Sequence, residues 1–235
     1  MQIISGYLSS SYQVTLQMTL RWKIAQWFEL QWWRKYLRNK DKEAYLLWKK
    51  NYWLELLDRI SIFVHIDPSK SAIDLGCGPA GIFIALPENA VTAVDPLLGQ
   101  YEVQTRFFKR ADYPHVHFIQ NSIEGFDAGN EKYDVVFCMN AINHVADIHA
   151  GYAKLKDICS ATGSIIVSID AHNHQFFKHL FRLIPGDILH PHQYDLQEYQ
   201  KLLSAGGWQI DTTLLLKHEF FFDHYVMVAR RADRI

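Results

Sequence analysis

The chain has 235 residues, of which 49% are hydrophobic and 21% are charged, as expected for a globular domain with a full core and an appendage. No apolar run approaches the roughly 20 residues of a membrane span, and residues 1–20 lack the basic start and unbroken apolar core of a signal peptide. The 3 cysteines have no paired spacing, which argues against a disulfide framework and predicts reduced thiols in a cytoplasmic protein.

Charge is distributed unevenly along the chain. Residues 1–60 carry 10 Lys and Arg against 5 Asp and Glu, a net charge of +5, whereas the remainder carries a net charge of −6. A basic appendage on an acidic domain is the simplest interpretation. The basic segment could meet a nucleic acid or an anionic membrane; the sequence has no clear nucleic-acid signal, and it leaves open a peripheral membrane contact.

The N-terminal extension has two parts. Residues 1–19 are rich in Ser, Thr and Gln without a clear period, which predicts disorder, and either Met1 or Met18 could be the first residue translated. Residues 20–60 are predicted to form two helices, with Asp41 as the N-cap of the second. Six of the 7 tryptophans lie in this stretch. The two helices could pack on the main domain, or they could form an aromatic lid or a membrane-surface face for an apolar substrate.

A glycine-rich turn between two short apolar runs is the most informative motif. Residues 72–75 and 91–94 are apolar runs of strand length; Gly76 and Gly78 follow the first, and Asp95 follows the second. This pattern predicts two parallel strands joined by a turn and a short helix. Glycines allow the backbone to approach a ligand closely, and a carboxylate at a strand tip can accept both hydroxyls of a ribose. The motif therefore predicts a site for an adenosine-containing cofactor.

Two cofactor classes are compatible with this turn. Gly76, Gly78 and Gly81 satisfy the Gly-x-Gly-x-x-Gly pattern, and Asp95 lies 19 residues after the first glycine, as in a dinucleotide site. Asp74 favours the other class, because a carboxylate at the end of the first strand is poorly placed beside a pyrophosphate. It suits instead the sulfonium and ammonium groups of S-adenosylmethionine.

The pattern Asp-x-Gly-x-Gly followed by Val-Asp resembles the class I S-adenosylmethionine-dependent methyltransferases, over residues 71–231. Members of this family often place an acidic residue after the third strand to receive the adenine amino group, and this chain has Ser122 there, beside Asn121. The run that begins at Asn140 also resembles the small-molecule members, and it is not the Asn-Pro-Pro-Tyr of enzymes that methylate exocyclic amines. The resemblance implies S-adenosylmethionine as cofactor, bound by Asp74, Gly76, Gly78, Asp95, Ser122 and Asn140.

The fold class that follows is α/β. Residues 61–235 are predicted to form a Rossmann-like three-layer sandwich, with a mostly parallel seven-stranded sheet that ends in an antiparallel C-terminal hairpin. The later strands are predicted at 116–119, 133–140, 164–169, 208–216 and 221–229. The helices of this domain are predicted at 79–86, 100–111, 147–160 and 196–203.

Histidines supply the candidates for catalysis and acceptor binding. His144 lies just after the fourth strand, where it could act as a general base or could hold its loop by a backbone hydrogen bond. The irregular stretch 171–194 follows the fifth strand and is expected to line the acceptor pocket through His172, His174, His190 and His192. Their His-x-His spacing invites a metal interpretation, but no further ligands accompany them, and we predict no metal.

Three functions remain compatible with the sequence. The first is an S-adenosylmethionine-dependent methyltransferase acting on a small or lipid-like acceptor. The second is an NAD(P)-dependent oxidoreductase, and the third is a methyltransferase-like protein that binds the cofactor without turnover.

Overall fold

A computed structural model describes residues 8–173 and 194–232, with side chains described from residue 22 onward. Within these residues, two N-terminal helices precede a seven-stranded sheet that has helices on both faces. The helices are α1 (Leu8–Leu37), α2 (Lys42–Ile60), α3 (Leu98–Gln104), α4 (Ile148–Ile158) and α5 (Leu196–Ala205). The strands are β1 (Ala72–Leu75), β2 (Val91–Val94), β3 (Val116–Ile119), β4 (Tyr133–Met139), β5 (Cys159–His172), β6 (Trp208–His218) and β7 (Phe222–Arg231).

The strand order confirms the predicted α/β class. The order is β3-β2-β1-β4-β5-β7-β6, and every pairing from β3 to β5 is parallel. The strand β7 runs antiparallel to both β5 and β6, which is the predicted C-terminal hairpin. Order reverses between β1 and β4, so the crevice at their carboxyl ends is where such a fold binds ligands.

Two apolar cores lie on opposite faces of the sheet, which makes the three layers. One core joins α2, α3 and the glycine turn to the sheet, with Leu56, Phe83 and Phe137 buried in it. The other joins α4 and α5 to the opposite face, with Leu155 and Leu203 fully buried. The strand β1 lies between the two layers, which explains why all four of its residues are buried and apolar apart from Asp74.

The first of the two N-terminal helices is longer than the sequence pattern predicts. Asp41 caps α2, as predicted, by accepting a hydrogen bond of 2.9 Å from the amide of Ala44. The helix α1 begins at Leu8, inside the stretch for which the sequence predicts disorder. Its extension toward the N-terminus is consistent with the low cost of propagating a helix once it has been nucleated.

Two predicted helices differ in the structure. In place of a helix at 79–86 there are two 3₁₀ turns, Gly78–Ala80 and Ile82–Ala85, because Gly81 between them is extended. The helix predicted at 100–111 is α3, which ends at Gln104. The strand predicted at 164–169 is β5, which already begins at Cys159, and its register with β4 shifts between Tyr133 and Val135.

Across the described part of the chain, none of the helices combines the length and the apolar character that crossing a bilayer requires.

Candidate active site

The glycine turn crosses the carboxyl end of β1 in a conformation that only glycine adopts readily. Gly76 and Gly78 have positive φ angles of 70° and 59°. The Gly76 amide donates to the carbonyl of Val94 at 2.8 Å, and a Cβ on Gly76 would clash with the side chain of Ala141. The turn is therefore held between the ends of β1, β2 and β4, and the space at Gly76 is too small for a side chain.

Asp95 fastens this turn from the end of β2. Its carboxylate accepts hydrogen bonds from the amides of Gly78 at 2.9 Å and Leu97 at 2.8 Å, and the residue is only 3% exposed. Burial, and then the nearby Glu29 carboxylate, raise the pKa of Asp95 to about 7, against the two amide bonds that lower it. The carboxylate thus lies beside the turn, as a ribose ligand would require.

Asp74 is a buried carboxylate at the carboxyl end of β1. Burial raises the pKa of Asp74 to about 7; the amides of Phe83 and Ile82 face it and oppose that shift. Among the described residues, neither of its oxygens has a hydrogen-bond partner of normal geometry. A buried carboxylate with unmet acceptors suits a cationic group that hydrogen-bonds, so the residues present fit S-adenosylmethionine.

The N-terminal helices cover this turn. The Trp53 indole of α2 donates to the carbonyl of Ala80 at 3.0 Å, and the Trp33 ring of α1 lies 3.4 Å from where a Cβ on Gly78 would be. The Lys49 ammonium lies 4.2 Å from the centroid of the Trp53 ring. Burial lowers the pKa of Lys49 to about 8, and the Asp74 charge opposes this change. The extension therefore covers the turn at which the cofactor is predicted to bind.

The end of β4 joins the glycine turn to β5. Asn140 has a positive φ of 53°, and its amide donates to the hydroxyl of Ser168 at 2.8 Å. The surroundings of the Asn140 side chain require the orientation in which the amide nitrogen faces Asp170. In that orientation the nitrogen donates to both oxygens of Asp170, at 3.2 and 3.0 Å. The predicted cofactor contact of Asn140 stays a prediction, since its side chain here faces the end of β5.

Ser122 and Asn121 hold their own turn after β3. The Ser122 hydroxyl accepts from the amide of Gly125 at 3.0 Å, and Asn121 accepts from the amide of Ser122 at 2.9 Å. The neighbouring Glu124 accepts from the amide of Ala146 at 2.7 Å, which ties this turn to the loop after β4. The predicted contact of Ser122 with adenine remains a prediction.

The predicted histidines are spread over different surroundings. His144 is half-buried in the 3₁₀ turn Ile142–His144 that follows β4. His172 is 6% exposed and packs on Phe222 with ring centroids 4.5 Å apart, while its amide donates to the carbonyl of Tyr194. Three of the predicted acceptor residues, His174, His190 and His192, lie outside the described residues. Within residues 8–173 and 194–232, no group of three or more His, Cys, Asp or Glu side chains could hold a metal ion.

A pair that the sequence did not indicate lies at the same edge of the sheet. Asp170 at the end of β5 forms an ion pair with the imidazole of His224 on β7. The hydrogen bond to Asp170 raises the pKa of His224, and partial burial opposes that rise. The only signal for this pair is the register of two antiparallel strands, which places Asp170 opposite His224 and which no local motif reveals.

Comparisons with known proteins identify the domain. Residues 72–163 match a family model described as a methyltransferase domain. This stretch includes the glycine turn, Asp95 and the end of β4. Residues 72–163 are thus similar to a methyltransferase domain, as the sequence resemblance predicts. The family match decides against the dinucleotide interpretation of the three glycines, and S-adenosylmethionine is the cofactor of this domain.

Curated relatives of this methyltransferase domain share one name. The chain is 32% identical over 144 residues to the ubiquinone biosynthesis O-methyltransferase of Rickettsia akari, covering 58% of this chain and 54% of the relative. The protein of that name from Rickettsia prowazekii is 31% identical over 150 residues, covering 57% and 58%. The chain thus spans about half the length of the curated relatives it matches.

Solved structures share the fold at low identity. The YcgJ protein of Bacillus subtilis superimposes with a TM-score of 0.59 at 16% identity, covering 74% of this chain and 97% of the other. The magnesium protoporphyrin IX methyltransferase of Synechocystis, solved with bound S-adenosylhomocysteine, gives a TM-score of 0.54 at 19% identity, covering 77% and 83%.

Proposed function

We propose that this protein transfers a methyl group from S-adenosylmethionine to an oxygen atom of a small acceptor with an apolar part. The observation that carries the proposal is the pair of buried carboxylates at the glycine turn, Asp74 and Asp95, which suit a cation and a ribose respectively. The name shared by the curated relatives, an O-methyltransferase of ubiquinone biosynthesis, supports oxygen as the methylated atom.

The residues at the turn have separate tasks in this proposal. Asp95 accepts the ribose hydroxyls while keeping the turn in place through its bond to the amide of Gly78. Asp74 faces the positive charge of the cofactor from below the turn, where Lys49 already provides a cation on α2. When bound, the cofactor supplies an electrophilic methyl group, so the protein's main tasks are to align the acceptor and remove its proton.

The aromatic wall that α2 forms beside the turn suits an apolar acceptor. Tyr45, Trp48, Tyr52 and Trp53 form a continuous series of ring contacts along α2, with centroids 4.8–6.2 Å apart. Burial is the main cause that raises the pKa of Tyr52, and the negative charge of Asp170 is the second. This helix therefore lies close to the end of β5. Aromatic rings offer a large apolar contact area, which favours a hydroxylated ring or a ring with an apolar tail.

We further propose that the N-terminal helices rest on an anionic membrane surface. The outward side of α1 exposes Trp27, Phe28, Trp32 and Tyr36, together with the basic Arg34, Lys35 and Arg38. We call these seven residues the outer aromatic face. The one acidic residue between 22 and 37, Glu29, points instead toward the hydroxyl of Tyr101, at 3.4 Å. Exposed aromatic and basic residues without acids are the composition of an interfacial helix, and the three buried free cysteines fit a cytoplasmic location.

Calorimetry and a transfer assay test the methyltransferase proposal together. The wild-type protein should bind S-adenosylhomocysteine, and Asp95→Ala should weaken that binding at least about tenfold, because each lost charge-assisted bond is worth about 1.5–3 kcal/mol. Asp157→Ala, whose side chain is 61% exposed, is the matched control and should bind as the wild type does. The transfer assay offers labelled S-adenosylmethionine with decylcatechol, with catechol itself and with decylamine.

Each outcome decides a different part. Label in decylcatechol, with less in catechol, is the expected result. Absence of S-adenosylhomocysteine binding by the wild type would refute the cofactor site, and unchanged binding by Asp95→Ala would refute the role of that residue. Label in decylamine alone would refute oxygen as the methylated atom.

A further inference from the structure

Four strand ends bring polar side chains to one edge of the sheet. Asp74 pairs in register with Phe137 of β4, and Met139 of β4 pairs with Ser168 of β5. Asp170 lies two residues beyond that pair and opposite His224 of β7. Asp170 and His224 are therefore level with the turn that follows β4, next to the glycine turn.

Both side chains point to the face of the sheet that α2 covers. Side chains alternate along a strand, and Ile166 of β5 and Val226 of β7 lie in the core beneath α2. Asp170 is four residues after Ile166, and His224 is two residues before Val226, so they share that face. The influence of the Asp170 charge on Tyr52 of α2 agrees with this placement. The pair thus lies between the sheet and the aromatic wall, on the same face as the cofactor turn.

The geometry leaves one nitrogen of the imidazole directed away from its carboxylate. Nδ1 of His224 is paired with Asp170, and Asn140 donates to the same carboxylate. Nε2 lies 3.4 Å from a carboxylate oxygen of Glu219, which belongs to the turn between β6 and β7. The side chains of His224 and Asp170 are 30% and 19% exposed, whereas Nε2 itself is buried beside Glu219, whose side chain is 43% exposed. An acceptor hydroxyl reaches Nε2 by displacing this exposed carboxylate. A carboxylate on Nδ1 fixes the tautomer in which Nε2 can accept a proton.

We propose that His224, oriented by Asp170, takes the proton of the acceptor hydroxyl during methyl transfer. This rests on the proposed O-methyl transfer. The O–H bond breaks and its proton passes to Nε2, the oxygen lone pair forms the new O–CH₃ bond, and the electron pair of the broken C–S bond stays on sulfur in S-adenosylhomocysteine. The imidazolium is balanced by Asp170 and returns its proton to water. Asp170 is then a positioning residue, and Asn140 holds Asp170.

The sequence candidate for this role, His144, is less well placed. Its neighbours Ile142 and Val145 are buried in the core on the opposite face of the sheet, beneath α4. His224 shares its face with Asp74 and α2, which form the walls of the cofactor site.

The charged groups around His224 set the expected pH dependence. Asp170 on β5, Glu219 on the hairpin turn and Tyr52 on α2 face the site, and Lys217 pairs with Glu219. Asp170 and Glu219 raise the pKa of the imidazole above its usual value near 6.5, and burial only partly opposes them. Since the neutral imidazole is the base, the rate should rise with pH through a midpoint above 6.5.

Three variants test the proposal with decylcatechol as the acceptor. His224→Asn should lower kcat about 100-fold or more, as expected for loss of a general base, and should abolish the rise with pH. Asp170→Asn should lower kcat less and shift the midpoint of the profile to lower pH, because the carboxylate that raises the pKa is gone. His218→Asn is the matched control, since His218 also pairs with a carboxylate, Asp223, but on an exposed part of the same hairpin. It should behave as the wild type does.

A binding measurement supplies a readout that is independent of turnover. In the complex with S-adenosylhomocysteine, the wild type should bind decylcatechol several-fold (about 3- to 10-fold) more tightly than His224→Asn does, because Nε2 accepts a hydrogen bond from the acceptor hydroxyl. All variants should retain the S-adenosylhomocysteine affinity of the wild type, which shows that they are folded. His224→Gln replaces His224→Asn if the latter loses that affinity.

Two failures are distinguishable. If the wild type binds S-adenosylhomocysteine but methylates no hydroxyl, the proposed function fails and this inference fails with it. If the wild type methylates decylcatechol and His224→Asn keeps its rate, its pH profile and its affinity for decylcatechol, only the inference is overturned.

Discussion

At the scale of single residues, the site places two carboxylates where water cannot solvate them. Asp74 and Asp95 are 1% and 3% exposed, and the pKa of each is raised to about 7. An unfolded Asp has a pKa near 3.9, so the folded state holds more protons than the unfolded state between these values. The free energy of unfolding of the cofactor-free protein therefore decreases as pH rises from about 4 to about 7.

Replacing Asp74 with Asn should make the cofactor-free protein more stable at alkaline pH. Asn keeps the shape but removes the charge, so we expect the Tm at about pH 8 to rise by roughly 5 °C. At about pH 5 the wild-type carboxyl is protonated and the difference should nearly vanish, because neither side chain is then charged. Differential scanning calorimetry measures both values.

The exposed Asp157→Asn serves as control and should change neither Tm. S-adenosylhomocysteine should stabilise Asp74→Asn less than the wild type, since the variant lacks the charge for a cation. Equal melting temperatures of Asp74→Asn and the wild type at pH 8 would show that burying the charge costs nothing.

How far the site can be predicted also depends on the residue. The sequence indicates Asp74, Gly76, Gly78 and Asp95, because a glycine turn between two strands is a local pattern. It gives no indication of His224, since the pairing with Asp170 depends on the register of strands that are distant in sequence. It also cannot tell that the Ser122 hydroxyl accepts a hydrogen bond from its own turn, because that geometry is set by the fold.

At the scale of elements, α2 holds the glycine turn in position. Two tryptophans that are five residues apart on α2 have different roles, since Trp53 is 6% exposed whereas Trp48 is 53% exposed. The sequence predicts both N-terminal helices from their spacing, but aromatic residues surround much of α2 and the inward side is fixed only by packing. The helix predicted after the turn is replaced by two 3₁₀ turns because the extended Gly81 interrupts it, and a glycine inside a predicted helix is a local sign of such a break.

Removing the indole donor of Trp53 should loosen the turn. Trp53→Phe leaves the buried carbonyl of Ala80 without its bond of 3.0 Å, which should cost about 1–3 kcal/mol of unfolding free energy. The affinity for S-adenosylhomocysteine should fall severalfold, because Ala80 belongs to the 3₁₀ turn that follows Gly78. Urea denaturation and calorimetry measure the two effects.

Trp48→Phe is the matched substitution on the same helix. Its ring is half exposed and it should cost no more than about 0.5 kcal/mol. Equal losses from the two variants would mean that ring size, and not the hydrogen bond to the turn, determines the effect.

At the scale of the whole molecule, charge and exposed aromatic area coincide on one side. The sequence predicts the sign of the extension from its composition, with a net charge of +5 over residues 1–60. Only the fold shows that Leu30 and Leu37 of α1 face inward while the outer aromatic face is exposed to solvent. A large exposed apolar patch beside basic residues indicates an interaction surface.

Binding to lipid vesicles tests the outer aromatic face as a unit. The wild type should sediment with phosphatidylglycerol vesicles more than with phosphatidylcholine vesicles, and less at high salt, because attraction to anionic lipid is screened. Replacing Trp27 and Trp32 together with Ser should weaken binding at least about tenfold, since their rings are 56% and 50% exposed and would lose their contact with the interface. Lys35→Glu combined with Arg38→Glu should weaken vesicle binding by a similar factor, at about 1 kcal/mol for each charge, and should remove the preference for anionic lipid.

Phe220→Ser is the control, since it removes a ring that is 69% exposed on the β6–β7 turn, and it should leave vesicle binding unchanged. All variants should retain the Tm of the wild type, since the substituted side chains are exposed. Equal sedimentation with both lipids, or equal loss from Phe220→Ser, would show that the outer aromatic face is not a membrane contact.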